Sequence, residues 1–250
     1  MLSETVGKLM EGLDNKSGKR AVKYSIAFDG VLPCHSAVFT SLSYGSEDFA
    51  LPEVVMGHVK KESSHRNIYV MDRGLQSIRT MKAFSPNAIT FICRAKENKK
   101  LVELESFVKE GQDLDLGESI LLKDCKVQLY AGIPINNKES NRHFRHGLVD
   151  SHFRVVIAES KLDGKKYWVL TNDFDLSAKE VAHAYRRRWD IEVFFRFLKE
   201  ELNLSHLVSL NKNGIQVMLY MTLIVAMLVL IYKKANNIGY KTAKRRFQWK

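Results

Sequence analysis

Five side chains in this 250-residue sequence have types and spacings that could do chemistry. Four of them, Tyr185, Arg188, Glu192 and Lys199, are separated by three, four and seven residues. At about 100° per residue they fall within about 60° of one another, so a continuous helix would line all four along one face. Such a stripe suits a phosphate-binding surface built around an acid. Arginine grips phosphate bidentately, lysine adds a point charge, and tyrosine donates a hydrogen bond or stacks. The same spacing also serves a solvated helix face on which Glu192 pairs with Arg188 or Arg196. The intervening Trp189, Ile191, Val193, Phe194, Phe195, Phe197 and Leu198 point in many directions. That pattern predicts a helix packed on several sides, where a carboxylate has less reason to be idle. The fifth residue, Asp72, follows the apolar run Asn67 to Met71 and precedes Arg73-Gly74. An acid at the carboxyl end of a buried strand is a reasonable metal ligand, and a turn-initiating aspartate produces the same pattern.

The elements that must position these residues follow from periodicity and punctuation. Strands are expected over Ala21 to Phe28, His35 to Leu42, Asn67 to Met71 and Ala88 to Arg94, and helices over Phe49 to Lys61 and Gln76 to Phe84. From Lys96 to about Leu170, short β-prone runs (Leu101 to Val108, Ser119 to Tyr130, His152 to Glu159, Lys166 to Leu170) alternate with glycine-rich turns. They predict a β-rich module set between two α/β pieces. Ser177 and Glu180 form a Ser-x-x-Glu capping box that opens one long helix, Ala178 to Leu202. The apolar run Val217 to Tyr232 falls short of the roughly 20 residues that a membrane span requires, so a buried core helix is expected there. The domain division read from this pattern is 1–95, 96–165 and 166–250.

Composition narrows the class. The formal net charge is +11, with 45% hydrophobic and 27% charged residues. A packed core is therefore feasible, and polyanionic partners are favoured because each neutralised phosphate releases condensed counterions. Cys34, Cys93 and Cys125 are odd in number and lack metal-ligand or disulfide spacing, which predicts buried free thiols in a reducing cytoplasm. Met1 to Leu13 carries Glu4, Lys8 and Glu11 and reads as no signal peptide. His143, His146 and His152 cluster with Arg142 and Arg145, but without a carboxylate or cysteine nearby they read as a DNA-facing or solvated loop.

Tyr185, Arg188, Glu192 and Lys199 match the Tyr-x2-Arg-x3-Glu-x6-Lys signature without a gap, and Tyr69 to Gly74 gives strand-Asp-Arg-Gly. In these motifs, and in the Leu170-Thr171-Asn172 strand end, the chain resembles DDE transposases of the insertion sequence 4 family. The resemblance implies an α/β, ribonuclease-H-like core with a β-rich insertion between the second and third acidic motifs. It implies metal-dependent cleavage and strand transfer at insertion-sequence ends, with two Mg2+ ions (Mn2+ as substitute) held by three carboxylates. Asp72 and Glu192 carry over as the second and third acids, catalytic and metal-binding. Tyr185, Arg188 and Lys199 carry over as DNA-contacting or site-organising residues. The implied partner is double-stranded DNA, at transposon ends and target, with a dimer as the active complex and no membrane.

The sequence departs from the family where the first aspartate belongs. Met1 to Lys16 reads as offering no strand for it, with Glu4 and Glu11 in a helix-like context and Asp14 in a loop; Asp29 reads as a turn residue. The expectation is a truncated copy that starts just after its first catalytic aspartate, with an incomplete two-metal site and impaired activity. The alternative function is a fragment that only binds DNA or an intact transposase.

Overall fold

The computed structural model describes residues 2–4, 13–14, 20–60, 67–134, 144–204, 209 and 211–248. The chain divides into two compact units, one comprising Met1–Ser63 with Trp189–Lys250 and the other Ser64–Arg188.

In the first unit, β3 (Arg20–Phe28) is the centre of a four-stranded sheet. It pairs antiparallel with β1 (Leu2–Glu4), β2 (Leu13–Asp14) and β4 (Pro33–Phe39). The strands β1 and β2 correct the expectation of no strand before Lys16. Elements of two or three residues are too short for alternation to register, and their pairing with β3 creates them; Glu11 lies outside the described residues. The turn between β3 and β4 is built by Asp29, whose Oδ1 accepts from the backbone N–H of Val31 (2.6 Å) and Leu32 (2.7 Å). Helix α1 (Glu47–Val59) follows, with Ser46 as its N-cap. Lys23 is buried on β3 and is held by Glu47 at 2.9 Å, because a buried ammonium requires a charge partner.

The second unit is a six-stranded mixed sheet in the order β5-β6-β10-β9-β8-β7. Strand β5 (Ile68–Met71) leads through α2 (Ile78–Phe84) to β6 (Thr90–Ala95), and these two strands pair in parallel, as a helical crossover permits. All other pairs are antiparallel: β7 (Leu101–Ser106), β8 (Ser119–Pro134), β9 (Phe144–Ser160) and β10 (Lys166–Thr171). The β-prone runs expected between Leu101 and Leu170 are therefore strands of the same sheet that contains β5 and β6. His152 is exposed on β9, whereas His143 and the side chain of His146 lie outside the described residues. Ile92, Val156 and Val169 cover one face of the sheet against Ala178 and Val181 of α3 (Ala178–Arg186).

Polar braces tie the elements of this unit together alongside its apolar core. Arg154, 4% exposed, donates from Nε and Nη2 to both carboxylate oxygens of Asp124 at 2.7 Å, and from Nη1 to the Leu176 carbonyl in the loop before α3. Its guanidinium lies 5.4 Å from the Phe107 ring centroid. Thr171 Oγ1 donates to the Phe91 carbonyl (2.6 Å), and Asn172 bridges the Phe91 N–H (2.9 Å) and the Ile89 carbonyl (2.9 Å). The Leu170-Thr171-Asn172 strand end thus clips β10 to β6. The capping box at α3 is present in full: Ser177 Oγ accepts from the Glu180 N–H and the Glu180 carboxylate accepts from the Ser177 N–H.

The helix expected from Ala178 to Leu202 is not continuous. It breaks at Arg187-Arg188, where the Arg188 N–H donates to the Tyr185 carbonyl three residues back (3.1 Å). It resumes as α4 (Trp189–Arg196) and ends in a π-helical turn, Phe197–Glu201. No glycine or proline marks the break, so nothing local in the sequence announces it.

Back in the first unit, Phe194 on α4 stacks on Phe28 of β3 (centroids 4.6 Å apart, planes 9° apart). Phe194, Phe197 and Leu198 join Val22, Tyr24 and Val38 in one core with α5 (Lys212–Asn236). Helix α5 begins at Asn211, whose Oδ1 caps the Gly214 N–H (2.7 Å), and it stops at Asn237 in the left-handed conformation. Gly214 has no room for a side chain, since a Cβ there would meet Ser209 Oγ at 2.0 Å. The expectation of a buried helix holds for only one face of α5. Ile215, Leu219, Leu223, Ala226 and Leu230 are buried, whereas Val217, Met221, Ile224, Leu228 and Ile231 are exposed. At 25 residues the helix is also long and apolar enough to cross a membrane by length and composition, because it extends past the apolar run at both ends. The chain closes with α6 (Tyr240–Gln248).

Candidate functional site

The second unit assembles a site at the carboxyl end of β5. Asp72 leaves the strand there and opens a turn in which its Oδ1 accepts from the Arg73 N–H (2.7 Å) and its carbonyl accepts from the Leu75 N–H (3.4 Å). Leu75 is fully buried and pins the turn, while the Gln76 side-chain amide donates to the Arg73 carbonyl. The Asp72 carboxylate is two-thirds exposed, so it is held by its backbone yet open to a ligand.

Arg188 stands beside it, with Nε 4.0 Å from Asp72 Oδ1. The break after α3 turns this side chain back over Tyr185, placing the guanidinium carbon 5.7 Å from the ring centroid. Tyr185 in turn stacks on Tyr167 of β10 (6.5 Å, 24°), and the Tyr167 hydroxyl donates to Ser119 Oγ (2.7 Å). Burial pushes the Tyr185 phenol above its ordinary value, while the nearby Arg188 and Arg94 pull it down. Tyr185 therefore stays a neutral donor around pH 7, flanked by two guanidinium groups.

Arg94 is the residue that sequence reasoning missed. Parallel pairing sets Met71 against Cys93, so Asp72 and Arg94 are the next residues along the two neighbouring chains. The arginine was visible as the end of an apolar strand, but its alignment with Asp72 depends on a pairing that no local pattern encodes.

The structure thus brings Asp72, Tyr185 and Arg188 together in one unit. Glu192 and Lys199 belong to the other unit, so the four residues do not share one uninterrupted helix face. Glu192 is half-buried on α4 among Ile191, Phe194 and Phe195, and Lys199 is exposed on the π-helical turn. That turn inserts an extra residue into the helical repeat and shifts the phase of Lys199 from the one that 3.6-residue spacing predicts.

Asp72 and Glu192 offer hard oxygen donors of the type that divalent cations prefer. Among the described residues, no group of three or more His, Cys, Asp or Glu side chains is placed to hold a metal ion.

Comparison with known proteins adds the family. The chain is 28% identical over 207 residues to a probable transposase for insertion sequence element IS5377 of Geobacillus stearothermophilus, covering 78% of this chain and 50% of that protein. It is 26% identical over 175 residues to a putative transposase for insertion sequence element IS4SA of Synechocystis, covering 68% and 42% respectively. The chain thus spans half or less of the length of these relatives. Among solved structures, a piggyBac transposase synaptic complex with hairpin DNA aligns with 98% of this chain and 49% of its own, at a TM-score of 0.49 and 12% identity. The family described as Transposase DDE domain matches residues 7–228. With that match spanning most of its length, the chain belongs to the DDE transposase family.

Proposed function

We propose that this chain is catalytic machinery of a DNA transposase, which cleaves and joins phosphodiesters at insertion-sequence ends. The carrying observation is the exposed Asp72 carboxylate at the end of β5 with Arg188 and Tyr185 packed beside it. An acid alone would repel a phosphodiester; an acid flanked by a fixed guanidinium can accept one. Arg188 grips a phosphate oxygen, Tyr185 orients Arg188 and donates a hydrogen bond, and Arg94 adds a second cation on the next strand. Lys199 is read as a further DNA-contacting residue of the family signature. Asp72 and Glu192 act as the second and third acids of the family and are the residues that would hold Mg2+, or Mn2+ in its place. A bound divalent cation would supply charge stabilisation at the attacked phosphate and activate the attacking oxygen.

The same reading takes the core as ribonuclease-H-like, with residues 96–165 as its β-rich insertion and a dimer as the active form. The support for the core assignment is an acid at the carboxyl end of one of two parallel strands joined by a helix, followed by a helical carboxyl-terminal region; the dimer is carried over from the family resemblance.

The alternative reading is a fragment that only binds DNA or an intact transposase. A nicking assay on supercoiled plasmid in Mn2+, run beside duplex binding, separates the two. Nicking that disappears in both Asp72→Asn and Glu192→Gln supports the enzyme. Binding without nicking supports the fragment. Nicking that survives both substitutions removes these residues from the chemistry.

A further inference from the structure

The first unit carries a basic surface made of residues that the proposed site does not use. Helix α6 packs through Tyr240, Ala243 and Phe247, spaced three and four apart. Tyr240 meets Phe197 (centroids 5.0 Å apart), Ala243 is fully buried, and Phe247 lies edge-on to Tyr232 (6.4 Å). That spacing turns Lys241, Arg245 and Arg246 outward, and all three are exposed. Lys234 on the last turn of α5 is exposed as well, and Lys233 is fixed 4.6 Å over the Tyr240 ring. Lys244 is the cation of the helix with an acidic partner among the described residues, at 3.1 Å from Glu201. Asp190 lies close enough to Tyr240 to act on its phenol. From Lys233 to Lys250 the sequence contains no acid.

This arrangement works against the stability of the helix. Lys241 and Arg245 stand one turn apart, and like charges at that spacing repel. Lys241 also lies in the first turn, where the positive end of the helix dipole disfavours a cation. An acid at position 241 would relieve both. An external polyanion would offset both penalties. An anionic membrane is a poorer match, because an interfacial helix turns its apolar stripe to the lipid, and here that stripe is packed into the core.

We infer that Lys241, Arg245 and Arg246, with Lys234 beside them, form a sequence-independent surface for the phosphate backbone of duplex DNA. The inference rests on the transposase reading above and adds a contact that holds DNA without taking part in chemistry at Asp72.

The test measures binding of the whole chain to two unrelated 20-base-pair duplexes across a salt series. For the triple substitution K241A/R245A/R246A, the slope of log K against log salt should fall by about 2.7, equally on both sequences. Lys241→Glu should weaken binding while leaving the thermal midpoint unchanged or raised, which a purely structural lysine would not do. A wild-type slope in the triple variant overturns the inference and leaves the transposase reading standing. No duplex binding by the wild-type chain would overturn both. Loss of binding to phosphatidylserine vesicles, with duplex binding intact, would assign the surface to a membrane and overturn the inference alone.

Discussion

The two halves of the Tyr185–Lys199 signature rest on different foundations. Tyr185 and Arg188 are held in the second unit by a chain of polar and ring contacts running from Ser119 through Tyr167 and Tyr185 to Arg188 and Asp72. Glu192 and Lys199 are held in the first unit by helix burial, through Phe194, Phe197 and Leu198. A directional network fixes the orientation of the group it holds. Apolar packing is non-directional and fixes the position of the helix that carries Glu192 and Lys199. Four residues that read as one motif therefore depend on two kinds of cohesion.

The largest expected effects would break each foundation separately. Phe194→Ala should cost about 3–5 kcal/mol by removing a buried ring. Arg154→Met should cost a similar 3–5 kcal/mol, because it strands the buried Asp124 carboxylate. The two differ in rescue: Arg154→Met with Asp124→Leu should recover most of the loss, since an apolar pair needs no partner. Urea unfolding measures all three. A double variant no more stable than Arg154→Met would show that the brace, and not the stranded charge, carries the energy.

A smaller effect sharpens the account of Tyr185. Tyr185→Phe keeps the ring beneath Arg188 and the stack on Tyr167, so duplex binding should fall by less than about fivefold, the order of one neutral hydrogen bond. Tyr185→Ala should weaken binding further, toward the loss seen in Arg188→Ala. Equal losses in the two Tyr185 variants would place the role in the hydroxyl and not in the ring.

Thiol chemistry separates the units with the gentlest perturbation. Burial pushes the Cys93 thiol up to about 12 and the Cys125 thiol up to about 11, whereas Cys34 in the first unit is exposed. At pH 8 the native chain should react quickly with one equivalent of a thiol reagent, at Cys34, and slowly with the other two. A raised folded-state value means that the buried thiols stabilise the fold fully below their unfolded value near 9. That contribution is lost as pH rises toward 11 and 12. Unfolding free energy should therefore decline above pH 9, and less steeply in Cys93→Ala. Rapid reaction of all three thiols at pH 8 would refute the burial on which this depends.

What the sequence determined by itself is local. The strand ending at Asp72, the turn at Asp29, the Ser177–Glu180 capping box and the helical character of residues 178–202 are set by side chains acting within a few residues of themselves. Periodicity and caps report that directly. Only the tertiary structure decided the rest. The break at Arg187-Arg188 has no local breaker, and it turns Arg188 toward Tyr185 and Asp72. The alignment of Arg94 with Asp72 comes from a parallel pairing across a helical crossover, and the buried Arg154–Asp124 pair joins residues thirty apart. The exposure of one face of α5 is equally non-local: an apolar residue carries the same sequence signal whether or not another element covers it. Each of these depends on which distant surface a segment meets, a choice made by summed burial and hydrogen bonding over the whole chain and not by any window of the sequence.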